Sequence, residues 1–145
     1  MKSPIFTALT AGLLGLAVAG AAPLSTGEAR LAQALHGRTA GKPLHCLNLR
    51  YARSSRVIDG TAVIFESGRT LYVNRPLSGA ESLSQSNALL IKSLTGEICR
   101  GEGVRLFDNG SRIDAGVIFL GEFVPYRKAG ESWRPATGGG GISTY

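Results

Sequence analysis

Two β-rich runs separated by a short glycine-containing loop constrain the fold of this chain more than any other feature. The first run covers residues 61–66 (Thr-Ala-Val-Ile-Phe-Glu), and the second covers residues 70–74 (Thr-Leu-Tyr-Val-Asn). β-Branched and aromatic residues dominate both runs, and such side chains suit the pleated surface of a sheet. The segment Ser67-Gly68-Arg69 between them is short enough to be a hairpin loop. The sequence therefore predicts an antiparallel hairpin in the middle of the chain.

Other short runs with β-like alternation flank this hairpin, and turn-forming pairs such as Asp59-Gly60 and Thr95-Gly96 separate them. We expect Pro125 to end the last strand, because proline cannot donate to a ladder of hydrogen bonds. The predicted fold class is mainly β: a small antiparallel barrel or sandwich of roughly six to seven strands with one N-terminal helix. The additional predicted strands are residues 45–51, 56–58 (which continue or restart the first), 88–94, 104–107 and 116–124.

The N-terminal helix is predicted over residues 26–36. Ser25 and Glu28 are three residues apart, which is the spacing of a capping box at a helix start. Leu31 and Leu35 follow at helical spacing and indicate one apolar side. Gly37 is suited to end the helix in the left-handed conformation.

The first 21 residues have the three parts of a secretory signal peptide. Lys2 supplies a positive charge, residues 5–19 form an apolar run, and Ala19-Gly20-Ala21 supplies a site of small residues for cleavage. The run is shorter than the ~20 apolar residues of a membrane-spanning helix, and the alternative is an uncleaved N-terminal anchor. Cleavage after Ala21 predicts a periplasmic or secreted protein with no stable membrane span.

The rest of the chain is predicted to contain one domain and a tail. Residues 22–128 are expected to form a single exported β domain that includes the N-terminal helix. The composition changes after residue 128, and residues 138–141 are four consecutive glycines. Because this segment has few apolar side chains to bury, residues 129–145 are predicted to form a disordered tail.

The chain has two cysteines, Cys46 and Cys99. An even number of cysteines in an exported chain favours a disulfide, because that compartment is oxidising. The bond would close a loop of about 54 residues and limit the unfolded state by about 4 kcal/mol in the chain-entropy model. The alternative is a metal site with His45 and His36, but the spacing of paired ligands is absent. We therefore predict a Cys46–Cys99 disulfide, no metal and no cofactor.

A run of basic residues is the best candidate for a binding surface. Arg50, Arg53 and Arg56 are spaced by three, and guanidinium groups bind carboxylate and phosphate through paired hydrogen bonds. These three are the candidate anion-binding residues. The alternative is a solvated loop whose arginines pair with Glu66 or Asp59. The run comprises five cations with no acidic residue among them: Arg38, Lys42, Arg50, Arg53 and Arg56.

The charge of the whole chain indicates the kind of partner. It carries 16 Lys and Arg against 10 Asp and Glu, a net charge of +6. In an exported protein this balance favours an anionic envelope component (lipid head groups, lipopolysaccharide or acidic glycans) or an envelope protein. Nucleic acid is not expected, because the compartment rarely offers it. The alternative is that the charge only keeps the protein soluble.

Motifs for catalysis are missing, so no catalytic residue is assigned. The chain has no Gly-x-Ser-x-Gly nucleophile elbow and no phosphate-binding loop. Glu102 lies between two glycines near Cys99. It is either an ordinary turn residue or a carboxylate that the nearby disulfide keeps in a fixed position, where it could serve a function. The favoured function is a non-enzymatic, envelope-associated binding or accessory module. The alternative is a small hydrolase with a site near Glu102 and His45.

Several short segments carry a resemblance to a known family: Gly-Arg-x-Ala-Gly-Lys-Pro (37–43), Cys-Leu-Asn-Leu-Arg (46–50), Ile-Asp-Gly-Thr-Ala (58–62), Leu-Tyr-Val-Asn-Arg-Pro (71–76), Val-Arg-Leu-Phe-Asp (104–108) and Leu-Gly-Glu-Phe-Val-Pro-Tyr (120–126). Together they resemble a family of small exported bacterial proteins treated as a domain of unknown function. The resemblance implies export and the two-cysteine pattern. It implies no substrate and supplies no catalytic residue.

Overall fold

A computed structural model describes residues 25–130. The predicted signal peptide at residues 1–21 and the predicted tail beyond residue 130 lie outside the described residues. No helix in the described part of the chain has the length and apolar character needed to cross a membrane. The elements are α1 (Thr26–Ala34), β1 (Arg38–Ala40), β2 (Cys46–Asn48), β3 (Ser54–Ile58), β4 (Ala62–Ser67), β5 (Thr70–Asn74), a short 3-10 helix (Ala80–Ser82), β6 (Asn87–Leu90), β7 (Glu97–Cys99), β8 (Gly103–Asp108), β9 (Asp114–Phe119) and β10 (Phe123–Lys128).

The strands form three antiparallel sheets. Their orders are β1-β10-β5-β4-β3, β2-β7 and β6-β8-β9. The central hairpin predicted from the sequence is the β4–β5 pair, in which Ser67 lies opposite Thr70. A mainly β fold with an N-terminal helix is therefore confirmed. The described strands form no closed barrel, and the choice between barrel and sandwich stays a prediction.

Strand β4 is buried on both faces because its side chains alternate between two apolar clusters. Ala62 and Ile64 belong to the cluster beneath the helix, whereas Val63 and Phe65 belong to the main core. The ring of Phe65 packs against that of Phe123, with 5.8 Å between their centres. The main core unites all three sheets and contains Leu47, Val57, Val63, Phe65, Leu83, Ile98, Val104, Leu106, Ile118, Leu120 and Phe123.

Helix α1 covers the opposite face of the five-stranded sheet. Leu31 is 2% exposed and packs with Ile58, Ile64 and Val73. The helix approaches the β3–β4 turn so closely that a Cβ at Gly27 would lie 1.9 Å from Thr61 Oγ1. A side chain at this position would push the helix away from the sheet.

Both predicted ends of α1 are close to the observed ones. Ser25 Oγ accepts a hydrogen bond from the Glu28 backbone N–H at 3.3 Å. In a full capping box the Glu28 side chain would accept a hydrogen bond from the Ser25 backbone N–H. Here the Glu28 carboxylate accepts hydrogen bonds from the Arg75 guanidinium instead. The helix ends at Ala34, two residues before its predicted end, and Gly37 follows with a φ of 71°.

The predicted number of strands was too low. The run at residues 116–124 was predicted as one strand, but it contains the end of β9 and the start of β10. Strands β1 and β7 have three residues each. Segments this short show little periodicity of their own, and they become strands by pairing with distant segments, β1 with β10 and β7 with β2.

The expectation that Pro125 ends the last strand was wrong. Pro125 lies inside β10, opposite Tyr72 of β5. Its carbonyl oxygen accepts a hydrogen bond from the Gly41 N–H at 2.7 Å, just past the last residue of β1. A missing N–H is tolerated where the pairing of neighbouring strands ends, and this is where proline occurs in sheets.

A buried asparagine fixes the connection between β9 and β10. The Asn74 side chain is fully buried. Its Nδ2 donates to the Gly121 carbonyl at 2.8 Å, and its Oδ1 accepts from the Gly121 N–H at 3.0 Å. Gly121 is equally constrained, because a Cβ there would lie 2.1 Å from the Arg75 carbonyl oxygen. This contact brings residues 121–122 against the end of β5.

We expect Gly121→Ala to lower the free energy of unfolding by about 1–3 kcal/mol, the usual range for overpacking. The added methyl group meets backbone, which cannot rotate away. The matched control is Gly103→Ala, whose Cβ would lie 3.5 Å from a Val117 methyl carbon, an ordinary contact. That variant should change stability by less than about 0.5 kcal/mol. Urea denaturation of both variants measures the difference, and equal losses would contradict this account.

Candidate functional site

The predicted arginines lie on one exposed stretch between β2 and β3. Arg50 follows β2, Arg53 precedes β3, and Arg56 is within β3; all three are exposed. The backbone beneath them is held in place. The Arg50 N–H donates to Asn48 Oδ1 at 3.0 Å, and the Arg53 N–H donates to the Glu66 carbonyl at 2.8 Å. These hydrogen bonds anchor the backbone of the stretch, while the arginine side chains extend into solvent.

The arginines differ in their acidic partners. Arg56 is paired with Glu66 at 3.5 Å, and both side chains are about half exposed, so this pair contributes little to stability. Arg50 and Arg53 form no ion pair with any residue from 25 to 130. The alternative of internal pairing therefore holds for Arg56 alone. Asp59, the other proposed partner, pairs with Arg30 instead.

The predicted disulfide is confirmed. Cys46 and Cys99 lie directly opposite each other in β2 and β7, with their Cα atoms 4.0 Å apart. Sulfurs bonded to each other are not thiolate ligands, which excludes the metal alternative for these cysteines. The residues from 25 to 130 contain no group of three or more His, Cys, Asp or Glu that could hold a metal ion. The neighbouring Leu47 and Ile98 are buried in the main core.

The residues of the hydrolase alternative are both at the surface. His45 and Glu102 are exposed. Their backbone carbonyls are engaged, since His45 accepts from the Arg100 N–H at 2.8 Å and Glu102 accepts from the Leu120 N–H at 2.9 Å. Neither residue lines the two clefts described below. The hydrolase stays a prediction, and these contacts supply no support for it.

A cleft that the sequence did not indicate lies beside α1. Its volume is about 340 Å³. Val73 and Val124, from the adjacent strands β5 and β10, provide an apolar floor, and Leu77 lies at the wall with 56% of its surface exposed. The cleft exists because the nine-residue helix packs over β3, β4 and β5 and leaves β10 partly uncovered.

The polar groups of this cleft come from separate parts of the chain. Arg75 follows β5, Arg100 follows β7, Glu122 precedes β10, and Tyr126 lies within β10. Only the tertiary fold brings them together. Arg75, Glu122 and Tyr126 lie in segments that carry the family resemblance, but no motif or spacing in the sequence groups the four residues into a site.

Arg75 is held in position by Glu28 of the helix. Its Nη1 and Nη2 donate to the two carboxylate oxygens of Glu28 at 2.5 and 2.9 Å. These hydrogen bonds hold the pKa of the Glu28 carboxyl below its ordinary value of 4.5, and they raise the pKa of Arg75. Tyr126 lines the same cleft as Arg75.

A second basic surface was also missed. Arg38, Arg69 and Lys128 line a cavity of about 400 Å³ together with Gly68. Pairing of β1 with β10 places Arg38 opposite Lys128, and Arg38 Nη1 donates to the Arg69 carbonyl at 2.8 Å. The sequence did not reveal this surface because β1 was not predicted as a strand.

Comparisons with protein-family models, with curated proteins and with solved structures find no match for this chain. The resemblance to a family of small exported bacterial proteins therefore stays a prediction.

We expect the double variant Cys46→Ser/Cys99→Ser to lower the free energy of unfolding by about 2–4 kcal/mol. The two cysteines are 53 residues apart, and the crosslink mainly restricts the unfolded chain. Urea denaturation measures the loss. The control is the wild-type protein with its disulfide reduced, which should unfold at the same urea concentration as the variant. Equal stability of the variant and the oxidised wild type would show that the crosslink contributes nothing.

Asp108 predicts a pH dependence of stability. Hydrogen bonds from the Ser111 N–H, from the Ser86 and Ser111 hydroxyls and from the Gly110 N–H lower its pKa from 3.8 to about 2. The group binds protons more weakly when folded, so its contribution to stability is present above about pH 4 and is lost as the pH falls to about 2. The wild type should therefore lose its advantage over Asp108→Asn across this range. Parallel stability curves in acid denaturation would contradict the assignment.

Proposed function

We propose that this protein is an exported, non-enzymatic β domain that binds an anionic component of the cell envelope. The contact surface consists of Arg50 and Arg53, with Arg56 at its margin. One observation carries the proposal: two exposed arginines on a backbone-anchored stretch lack an acidic partner among the described residues. Free guanidinium groups offer paired donors to phosphate or carboxylate.

The distribution of acidic side chains supports this proposal. Several carboxylates make internal contacts: Glu28 with Arg75, Asp59 with Arg30, Glu66 with Arg56 and Asp114 with Arg105. Asp108 accepts hydrogen bonds within its own turn. The net charge of +6 attracts anions to the chain as a whole, and these acids do not neutralise Arg50 or Arg53 because they are engaged with other groups.

Location in the periplasm or outside the cell is part of the proposal. It rests on the N-terminal pattern of residues 1–21 and on the Cys46–Cys99 disulfide, since such bonds persist in oxidising compartments. We also propose that the β domain is a sandwich. Phe65 of the five-stranded sheet and Leu106 of the three-stranded sheet contribute to one core, which supports two packed layers.

The test is charge reversal at the two unpaired arginines. Arg50→Glu/Arg53→Glu should weaken binding to phosphatidylglycerol vesicles, or to an acidic polysaccharide, by about thirtyfold or more. Each basic residue near an anionic surface contributes about 1 kcal/mol, and 1.4 kcal/mol is a factor of ten. Co-sedimentation at two salt concentrations measures the binding, which should weaken as salt rises.

The matched control is Arg38→Glu/Lys128→Glu, which makes the same change in net charge on the other basic surface. It should retain most of the binding. Equal losses in the two double variants would show that binding follows net charge and not this surface. Unchanged binding in Arg50→Glu/Arg53→Glu would overturn the proposal, provided that circular dichroism shows the same fold.

A further inference from the structure

The cleft beside α1 combines an apolar floor with charges of both signs. Val73 and Val124 form the floor, while Arg100 and Glu122 lie at the rim and are exposed. Among residues 25–130, neither Arg100 nor Glu122 forms an ion pair, with the other or with a third residue. Each is therefore free to interact with a ligand. A volume of about 340 Å³ is at the small end of ligand sites, which run from about 300 to 1,000 Å³.

The charges restrict the ligand more than the volume does. A simple anion would be attracted by Arg100 but repelled by Glu122, and a simple cation would meet the reverse situation. Arg75 adds a second guanidinium, which Glu28 holds in place through two hydrogen bonds. Its remaining N–H groups still donate, because a guanidinium carries five donors. A ligand with separate positive and negative groups satisfies both sides of the cleft.

The apolar floor adds a third requirement. Val124 and Tyr126 are only partly buried, because α1 does not extend over β10. Leu77 is exposed beside them. Covering these side chains with an apolar group is favourable in proportion to the apolar area removed from water. The ligand should therefore carry an apolar side chain next to its charged groups.

We propose that this cleft binds a small zwitterion with an apolar side chain, which is the chemistry of a free apolar amino acid or a short apolar peptide. The ligand carboxylate accepts hydrogen bonds from Arg100 and from the free donors of Arg75. The ligand ammonium donates to Glu122, and the apolar side chain lies over Val73 and Val124. The proposal concerns a different surface from Arg50 and Arg53, so either can fail without the other.

The experiment is a titration of the ¹⁵N-labelled protein with phenylalanine, followed by NMR. The largest shifts are expected at the backbone amides of residues 122–126. N-Acetylphenylalanine lacks the ammonium and phenylalanine amide lacks the carboxylate, so each should bind at least about tenfold more weakly, the effect of losing one charge-assisted hydrogen bond. The dipeptide Phe-Phe distinguishes a peptide ligand, which would bind more tightly than the free amino acid.

Variants connect each ligand group to its residue. Glu122→Gln should weaken binding of phenylalanine and leave binding of N-acetylphenylalanine unchanged. Arg100→Gln should weaken binding of phenylalanine and leave the amide unchanged. The matched controls are Glu102→Gln and Arg112→Gln, which alter exposed residues outside the cleft and should bind phenylalanine like the wild type. The proposal is overturned if phenylalanine causes no shifts at millimolar concentration, if both derivatives bind as well as phenylalanine, or if the controls lose as much binding as the cleft variants.

Discussion

Burial of β4 on both faces is the constraint on which the rest of the structure depends. A strand of alternating side chains usually buries one face and exposes the other. In β4, Ile64 packs beneath the helix and Phe65 enters the main core, so both faces need a cover. The helix covers one face, and the two smaller sheets cover the other. The positions of the disulfide and of the cleft beside α1 follow from this layering.

The parts of the fold that were predicted correctly are those encoded by neighbouring residues. The β4–β5 hairpin and the Ser25 cap each depend on a few adjacent side chains. The disulfide was also predictable, because compartment and cysteine number restrict the options. Strands β1 and β7, and the split of residues 116–124, depend on pairing with distant segments, and local periodicity does not report that pairing.

The same distinction applies to the candidate sites. Arg50, Arg53 and Arg56 are close in sequence, so the sequence alone groups them as a candidate surface. Which of them pairs with Glu66 depends on the register of β3 and β4, and the sequence does not reveal that register. The cleft beside α1 draws its four polar groups from three separate segments between residues 75 and 126. No spacing rule joins them, because the end of β5 and the β9–β10 connection come together only in the folded chain, through contacts such as that of Asn74 with Gly121.

The Asn74–Gly121 contact gives the protein an internal reporter of its own opening. The Gly121 amide hydrogen is bonded to a fully buried side chain, although it lies in a connection and not in a strand. Exchange of this hydrogen with water requires the hydrogen bond to Asn74 at the end of β5 to break. Its hydrogen-exchange rate should therefore follow opening of the core between these strands, whereas amides in most connecting segments exchange through small local motions.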